Sequence, residues 1–297
     1  MSSILLPAEN YDLAATLDSG QVFRWQFRDG AWHGILGRHA LRLAQTPDGI
    51  HATAHTEIAD WTFLRHFLQS DVHLDSILKT FPADDPMTAA IAHCRGLRLL
   101  RQDPWECLAS FILSSTKQIV QIRQIVALLC EKFGEPIAST CEGRRDSGIS
   151  NDAIRSTQYA HAFPTPKRLA AATEAELRTC KMGFRAKGLL HAARDIAEGR
   201  LELEYIRTLD YAAARAELTK LHGVGIKIAD CVLLFAYGFD SAFPVDVWIE
   251  RALQQLYFPR RRASHKRLHH FAATHFGPHA GYAQQYLFHY IRTRSTP

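Results

Sequence analysis

The stretch Leu221–Cys231, LHGVGIKIADC, decides the fold of the second half of this chain. Its two glycines are separated by one residue and flanked by apolar residues, which predicts a tight hairpin with backbone amides open to a phosphate oxygen. Lys227 follows in the first turn of the next predicted helix, where the positive end of the helix dipole and any burial favour the neutral, nucleophilic amine. Asp246 comes further along, in the run FPVDVW. The pattern indicates an amine and a carboxylate that act together with an anion-binding hairpin.

The overall composition is that of an ordinary globular protein. The chain has 297 residues, enough for a substantial core, of which 47% are hydrophobic and 22% charged. The formal charge of +5 permits a polyanionic partner without demanding one. Residues 1–12 have neither a basic leader nor an apolar run long enough for export, and no later stretch approaches a membrane span. We therefore expect a cytoplasmic protein with no membrane contact.

The cysteines are scattered and form no CxxC pair, which argues against zinc and iron–sulfur sites. We expect reduced, mostly structural thiols and no metal site. The six cysteines are Cys94, Cys107, Cys130, Cys141, Cys180 and Cys231.

Two different patterns divide the chain. From Gln21 to His55, aromatic or aliphatic residues alternate with polar ones in short runs separated by turn signals such as Asp29-Gly30, which predicts an antiparallel meander with hairpin connections. Asp103 and Pro104 mark a helix start, and residues 136–162 predict a surface loop that enters a short helix. Apolar residues recur at helical spacing over 59–69, 74–81, 86–94, 104–114, 117–133, 166–172, 185–198, 210–220, 226–237, 246–256, 264–276 and 279–292.

These patterns predict an α+β protein. An N-terminal antiparallel sheet domain at residues 1–96 is followed by a mainly helical domain at 97–297, with its hairpin near 221–226. The length alone also allows a single domain.

Five ordered segments resemble one family. Beside the hairpin with its aspartate, they are SGQVFRW at 19–25, LRLLRQDPWECLASFILSS at 97–115, MGFRAKGLLHAARDI at 182–196 and GPHAGYAQQYLF at 277–288. Together they resemble the 8-oxoguanine DNA glycosylase/AP lyases of the helix-hairpin-helix (HhH-GPD) superfamily, over nearly the whole chain. A single GxG hairpin would be weak evidence, whereas five segments in order are specific.

The resemblance implies catalytic roles for Lys227 and Asp246. In the family a lysine at the first position attacks C1′ of the damaged nucleotide, releases the base and forms an imine from which the 3′ phosphate is eliminated. The family's aspartate stabilises the positive charge that develops on the deoxyribose. Without the resemblance, Lys227 would be an ordinary solvated lysine and Asp246 an N-cap. Capping and catalysis are compatible for Asp246.

Four residues match the family's positions for reading the extruded base. Gln284 and Phe288 lie four residues apart on a predicted helix, so a purine could stack on the ring while the amide binds its edge. Gly20 matches the glycine whose carbonyl accepts the N7 proton of 8-oxoguanine, a proton that guanine lacks. Cys231 lies four residues after Lys227 and would face the same pocket. Without the resemblance, Phe288 and Cys231 would be buried core residues, Gln284 a surface residue, and Gly20 an ordinary glycine at the start of a strand.

Further residues match DNA-binding positions. Phe184 and Arg185 match an aromatic wedge and an arginine for the orphaned cytosine. Thr116 and Gln121 depart from the asparagine and arginine usual there, which puts opposite-base selectivity in question, and Trp248 stands where histidine is frequent. The remaining residues expected at the DNA are Lys117, Gln118, His222, Gly223, Gly225 and Val247.

The expected function is excision of 8-oxoguanine from duplex DNA with strand cleavage by β-elimination, carried out by a monomer. No cofactor is required, and the resemblance also allows a monovalent cation at the hairpin carbonyls. Two alternatives stay open: a glycosylase for alkylated or other modified purines, and a non-catalytic helix-hairpin-helix DNA-binding protein. A bacterial protein of this kind would be associated with the nucleoid.

Overall fold

The computed structural model describes residues 2–115, 117–137 and 161–294. A five-stranded antiparallel sheet forms the N-terminal part, in the order β1-β5-β4-β3-β2. Helices form nearly all of the rest, which confirms the predicted α+β class. The strands are β1 (Ser2–Leu6), β2 (Trp25–Arg28), β3 (Ala31–Leu36), β4 (His39–Thr46) and β5 (Gly49–Ala54).

The meander from β2 to β5 follows the alternating sequence pattern. Asp29 and Gly30 join β2 to β3 with φ values of 49° and 70°, and two consecutive positive φ values match the twist of an antiparallel hairpin. The prediction missed β1, which pairs with β5 so that Leu5 lies opposite His51. It also missed the helix α1 (Leu13–Asp18) that follows β1.

Every helix predicted from apolar spacing is present, with ends shifted by no more than a few residues. Residues 138–160, which contain most of the predicted loop and short helix, lie outside the described residues. The short helices α8 and α10 were missed. The helices after α1 are α2 (Thr62–Leu68), α3 (Leu74–Leu78), α4 (Asp85–His93), α5 (Pro104–Ser114), α6 (Ile119–Phe133), α7 (Pro166–Ala170), α8 (Glu174–Arg178), α9 (Arg185–Ala197), α10 (Leu203–Ile206), α11 (Tyr211–Thr219), α12 (Ile226–Val232), α13 (Val247–Tyr257), α14 (His265–His275) and α15 (Ala280–Arg294).

Apolar side chains form two large clusters. One lies between the sheet and helices α1 and α2, where the Trp25 ring stacks on Phe67 with 5.9 Å between centroids. The other fills the space among the helices and includes Phe23. Each fully buried large side chain stabilises the fold by about 1.5–3 kcal/mol. Because Phe23 and Trp25 belong to different clusters, the segment after Gly20 connects the two cores.

The helix-hairpin-helix consists of α11, the hairpin and α12. Gly223 has a φ of 84°, and the backbone of α9 approaches closely, because a Cβ on Gly188 would lie 3.1 Å from the His222 carbonyl oxygen. The Tyr211 hydroxyl on α11 donates to Asp230 Oδ1 on α12 at 2.8 Å. The hairpin is thus held from both sides.

Helix α12 continues directly into a π-helical turn at Leu233–Tyr237. The Leu234 carbonyl accepts from Arg101 Nη1 at 2.9 Å, and the Phe235 carbonyl accepts from the Gln102 backbone N–H at 2.8 Å. A wide helical turn makes carbonyls available to partners outside the helix. Here those partners belong to the segment that leads into α5.

No helix among the described residues combines the length and the apolarity that crossing a bilayer requires.

Candidate active site

A cavity of about 290 Å³ lies where the two parts of the chain meet. Its walls come from the turn after α1, the end of α5, the start of α6, helix α12, the segment before α13, and α15. Six residues expected at the site from the sequence line this one cavity, namely Gly20, Lys227, Cys231, Asp246, Gln284 and Phe288.

Lys227 reaches the cavity from the first turn of α12. Its half-buried amine donates to Ser114 Oγ at 3.3 Å, and Nζ lies 5.3 Å from the centroid of the Phe111 ring. The apolar neighbours of Lys227 in the chain differ in burial: Ile228 and Ala229 are buried, but Ile226 is 58% exposed. Ser114 and Phe111 were not singled out from the sequence, although their spacing on α5 places both on the face towards α12. Together they orient the amine into the cavity.

Cys231 lies one helical turn beyond Lys227, on the same side of α12. Burial raises the pKa of its thiol to about 12, while the nearby Lys227 lowers it and Asp246 raises it. The thiol is therefore protonated at neutral pH, and its nucleophilic form is suppressed. Of the two potential nucleophiles on this face, the thiol is thus held in its neutral form.

Asp246 is the N-cap of α13. Its Oδ1 accepts hydrogen bonds from the backbone N–H groups of Trp248 at 3.0 Å and Ile249 at 2.9 Å, which confirms the predicted capping role. The carboxylate lines the same cavity as Lys227. A carboxylate fixed at a helix N-terminus is held by two amides and the helix dipole, so it presents a negative charge of defined position to whatever occupies the cavity.

Gly20, Gln284 and Phe288 form the wall opposite α12. Gly20 has a φ of 82°, and a Cβ there would lie 2.9 Å from Ile119 Cδ1 and 3.3 Å from Phe288 Cε1. Gln284 is 4% exposed, and its buried Oε1 accepts no hydrogen bond from the residues that the structure describes. Phe288 is half-buried. This wall combines a flat ring, an amide oxygen and a glycine backbone, which suits a planar, polar-edged ligand.

Some further residues that line the cavity were expected to contact DNA, and others were not singled out from the sequence. Lys117 and Gln118, expected among the DNA-binding residues, line the cavity. Gln121 accepts from the Gln118 backbone N–H at 3.2 Å and thus caps α6. Gln285 and Arg292 on α15 were missed, although Arg292 lies one turn beyond Phe288 and this spacing could have identified it.

The remaining sequence-predicted DNA contacts lie outside the cavity. Phe184 is 68% exposed and Val247 72% exposed. Arg185 is buried: it donates to the carbonyls of Met182 at 3.3 Å and Ser115, and its guanidinium lies 4.4 Å from the centroid of the Phe184 ring. Burial lowers the pKa of Arg185.

The hairpin residues His222, Gly223 and Gly225 are exposed, and the His222 ring lies 5.1 Å from that of His191. Thr116 lies outside the described residues. Among the described residues, no cluster of histidine, cysteine, aspartate or glutamate side chains could hold a metal ion.

Two family models match consecutive parts of the chain. The model for the N-terminal domain of 8-oxoguanine DNA glycosylase matches residues 3–108. The model for the HhH-GPD superfamily of base excision DNA repair proteins matches residues 109–276. The two matches cover both the sheet and the helix-hairpin-helix.

Curated relatives and solved structures agree with these models. The chain is 30% identical to the N-glycosylase/DNA lyase OGG1 of Arabidopsis thaliana, over 93% of this chain and 76% of that protein. It is 29% identical to a probable N-glycosylase/DNA lyase of Methanothermobacter thermautotrophicus, over 97% and 95%. The 8-oxoguanine glycosylase/lyase of Clostridium acetobutylicum, solved with double-stranded DNA containing cytosine opposite 8-oxoG, superposes with a TM-score of 0.85 at 29% identity, over 98% of both chains.

Proposed function

Because the chain belongs to the 8-oxoguanine DNA glycosylase family of the HhH-GPD superfamily, we propose that it excises 8-oxoguanine from duplex DNA and cleaves the strand at the resulting abasic site. The observation that carries this proposal is the single cavity that contains an amine, a capped carboxylate and a base-sized wall. A protein that only bound DNA would need none of these groups at the bottom of a cavity.

Lys227 is proposed as the nucleophile. Its Nζ forms a bond to C1′ while the bond from C1′ to the base nitrogen breaks, and the base leaves with that electron pair and takes up a proton. Opening of the sugar ring gives an imine between Lys227 and C1′. Loss of a proton from C2′ then expels the 3′ phosphate by β-elimination. The positions of Ser114 and Phe111 support this role, because they hold the amine towards the cavity.

Asp246 is proposed to stabilise the positive charge that develops on the sugar as the base departs. Two backbone N–H groups hold its carboxylate in place before the substrate arrives. A preoriented charge of this kind costs little reorganisation during the reaction, which is the condition for effective electrostatic stabilisation.

The opposite wall is proposed to read the base. The Phe288 ring offers a stacking surface, the buried Gln284 Oε1 offers an acceptor for a base N–H group, and the Gly20 carbonyl offers an acceptor for the N7 proton of 8-oxoguanine. Cys231 lines the same cavity from α12 as a neutral thiol. A buried acceptor that has no donor favours a ligand with an N–H group, because a buried acceptor left without a hydrogen bond costs free energy.

The exposed hairpin and the wedge are proposed to hold the DNA. Amides near Gly223 and Gly225 would bind a backbone phosphate, with His222 and Val247 beside the strand and an optional monovalent cation at hairpin carbonyls. Phe184 would fill the space left by the extruded base. Arg185 must leave the Ser115 carbonyl to reach the orphaned partner. We further propose a monomer that works on genomic DNA in the cytoplasm without a cofactor.

Borohydride trapping tests the proposed reaction. Wild-type protein and an 8-oxoguanine:cytosine duplex should give a covalent adduct, because reduction fixes the imine. Lys227→Gln should abolish the adduct, while the matched control Lys220→Gln, an exposed lysine just before the hairpin, should retain it. Base release without any adduct would refute the lyase step. An adduct with alkylated purines but none with 8-oxoguanine would favour the alternative substrate class.

A further inference from the structure

The turn that carries Gly20 is held by side chains from α15. Arg292 Nη2 donates to the Asp18 carbonyl, and Gln285 Nε2 donates to the Ser19 carbonyl at 2.8 Å. These carbonyls belong to the two residues directly before Gly20. Helix α15 also carries the base-reading wall, so two of its side chains tie that wall to the turn.

The carbonyl on the other side of Gly20 is occupied as well. Gln102 Nε2 donates to the Gln21 carbonyl at 2.7 Å, and Gln21 itself is fully buried. The Gly20 carbonyl, by contrast, accepts no hydrogen bond from the described part of the chain. The carbonyls flanking Gly20 are therefore fixed, and the central one is left for a ligand.

A cluster of charged side chains at this corner reinforces the hold. The Asp18 carboxylate accepts from Arg123 Nη2 on α6 at 2.7 Å, and its other oxygen lies 3.9 Å from Arg292 Nη2. The side chains of Arg123 and Arg292 are only 23% and 20% exposed. The Asp18 side chain is 48% exposed, so these ion pairs stabilise the corner only modestly. Helices α6 and α15 thus hold Asp18 from two directions.

Arg292 also contacts the stacking ring. Its guanidinium carbon lies 6.0 Å from the centroid of Phe288, and a Cβ placed on Gly20 would point at the same ring, 3.3 Å from Cε1. One arginine therefore touches both the turn that would accept the N7 proton and the ring on which the base would stack. The distance between these two elements decides whether both contacts can form at once.

We propose that Arg292 and Gln285, with Arg123 acting through Asp18, are positioning residues that set the lesion selectivity of the enzyme. This inference rests on the proposed excision of 8-oxoguanine. The lesion differs from guanine at N7 by one proton, so discrimination depends on a carbonyl that cannot turn away or adapt to guanine. Fixing its neighbours supplies that rigidity.

The test separates base reading from sugar chemistry. Gln285→Met keeps the side-chain length and removes the donor, whereas Arg292→Met keeps the aliphatic part of the side chain and removes the guanidinium. Single-turnover excision of 8-oxoguanine should fall about tenfold in each variant, as expected for loss of one hydrogen bond at a positioned site. Strand cleavage at a preformed abasic site needs no base reading and should stay nearly unchanged. Arg292→Lys should restore part of the excision rate, because it keeps a charge and a donor.

Arg294→Met provides the matched control. Arg294 lies on the same helix and donates to the Tyr290 hydroxyl rather than to the turn, so both activities should match the wild type. Equal losses of excision and cleavage in Arg292→Met and Gln285→Met would show a merely structural role and overturn the inference, as would wild-type rates for both. Should Arg292→Met fail to fold, Gln285→Met decides. A wild-type protein that cleaves abasic sites but leaves 8-oxoguanine intact would instead refute the proposed substrate.

Discussion

Replacing Asp246 separates the two roles assigned to its carboxylate. The side chain caps α13 through the backbone N–H groups of Trp248 and Ile249, and it is proposed to stabilise the developing sugar cation. Asparagine has the same shape and caps helices as well as aspartate, but it carries no charge. Alanine can provide neither the cap nor the charge. The pair Asp246→Asn and Asp246→Ala therefore removes the charge first and the cap second.

The expected magnitudes differ for folding and for catalysis. Asp246→Asn should lower the free energy of unfolding by only about 0.3–1 kcal/mol, the value of a carboxylate near a helix N-terminus. Asp246→Ala should add the loss of the cap, about 1 kcal/mol more. Excision by both variants should fall at least a hundredfold or so, the usual effect of removing one preoriented electrostatic group.

The assays are urea unfolding, single-turnover excision of 8-oxoguanine, and affinity for a duplex with an uncleavable abasic analogue. Asp210→Ala is the matched control, because Asp210 caps α11 through the Ala213 N–H at 2.8 Å and lies away from the cavity. It should lose about 1 kcal/mol of stability and keep its excision rate. An Asp246→Asn protein that is stable and fully active would refute the electrostatic role. A loss of activity that merely follows the loss of stability would do the same.

Two further changes test the wall and the hairpin. Gly20→Ala should lower the free energy of unfolding by about 1–2 kcal/mol, the cost of a left-handed φ for a residue with a side chain. Because the added Cβ displaces Phe288, excision of 8-oxoguanine should fall more than strand cleavage at abasic sites. Equal effects on the two activities would contradict the base-reading role. Burial raises the pKa of Asp230 to about 6, although the Tyr211 hydrogen bond and the charge of Arg215 lower it. The folded protein therefore binds the Asp230 proton more tightly than the unfolded chain does. This stabilisation is complete below about pH 4 and is lost as the pH rises through 6. At pH 7, Asp230→Asn should therefore be more stable than the wild type, by about 3 kcal/mol at most. Urea unfolding at pH 4 and pH 7 measures the difference in free energy of unfolding between variant and wild type. The same difference at both pH values would disprove this prediction.

Local patterns predicted most of the fold. The alternating runs after Gln21 and the long amphipathic helices each repeat their period several times, so the signal is strong. Strand β1 and the short helices α1, α8 and α10 were missed because they have four to six residues, which is one to two helical turns or about two alternations of a strand. Helices α3 and α7 are equally short, but they lie in the longer apolar-spaced runs 74–81 and 166–172. Such elements form because the surrounding core holds them, and that information is not local.

The site was predictable in part, for a similar reason. The hairpin motif and the family resemblance predicted six site residues that line one cavity, and the catalytic and base-reading roles assigned to them stay predictions. Arg292 and Gln285 were missed because each bonds a carbonyl more than 260 residues away in the chain. Arg185 was expected at the DNA, yet in this structure it donates to the Ser115 carbonyl. Contacts between distant segments, and the position that a long side chain takes without DNA, require the fold itself.

One residue is hydrogen-bonded to both walls of the cavity, because it contacts the π-helical turn after α12 as well as the turn that carries Gly20. The Gln102 backbone N–H bonds the Phe235 carbonyl in that turn, while its side chain bonds the Gln21 carbonyl beside Gly20. The continuation of the lysine-bearing helix and the glycine turn are therefore joined through a single buried glutamine. Gln102 does not itself line the cavity, so a residue outside the cavity ties together the wall that carries Lys227 and the wall that carries Gly20.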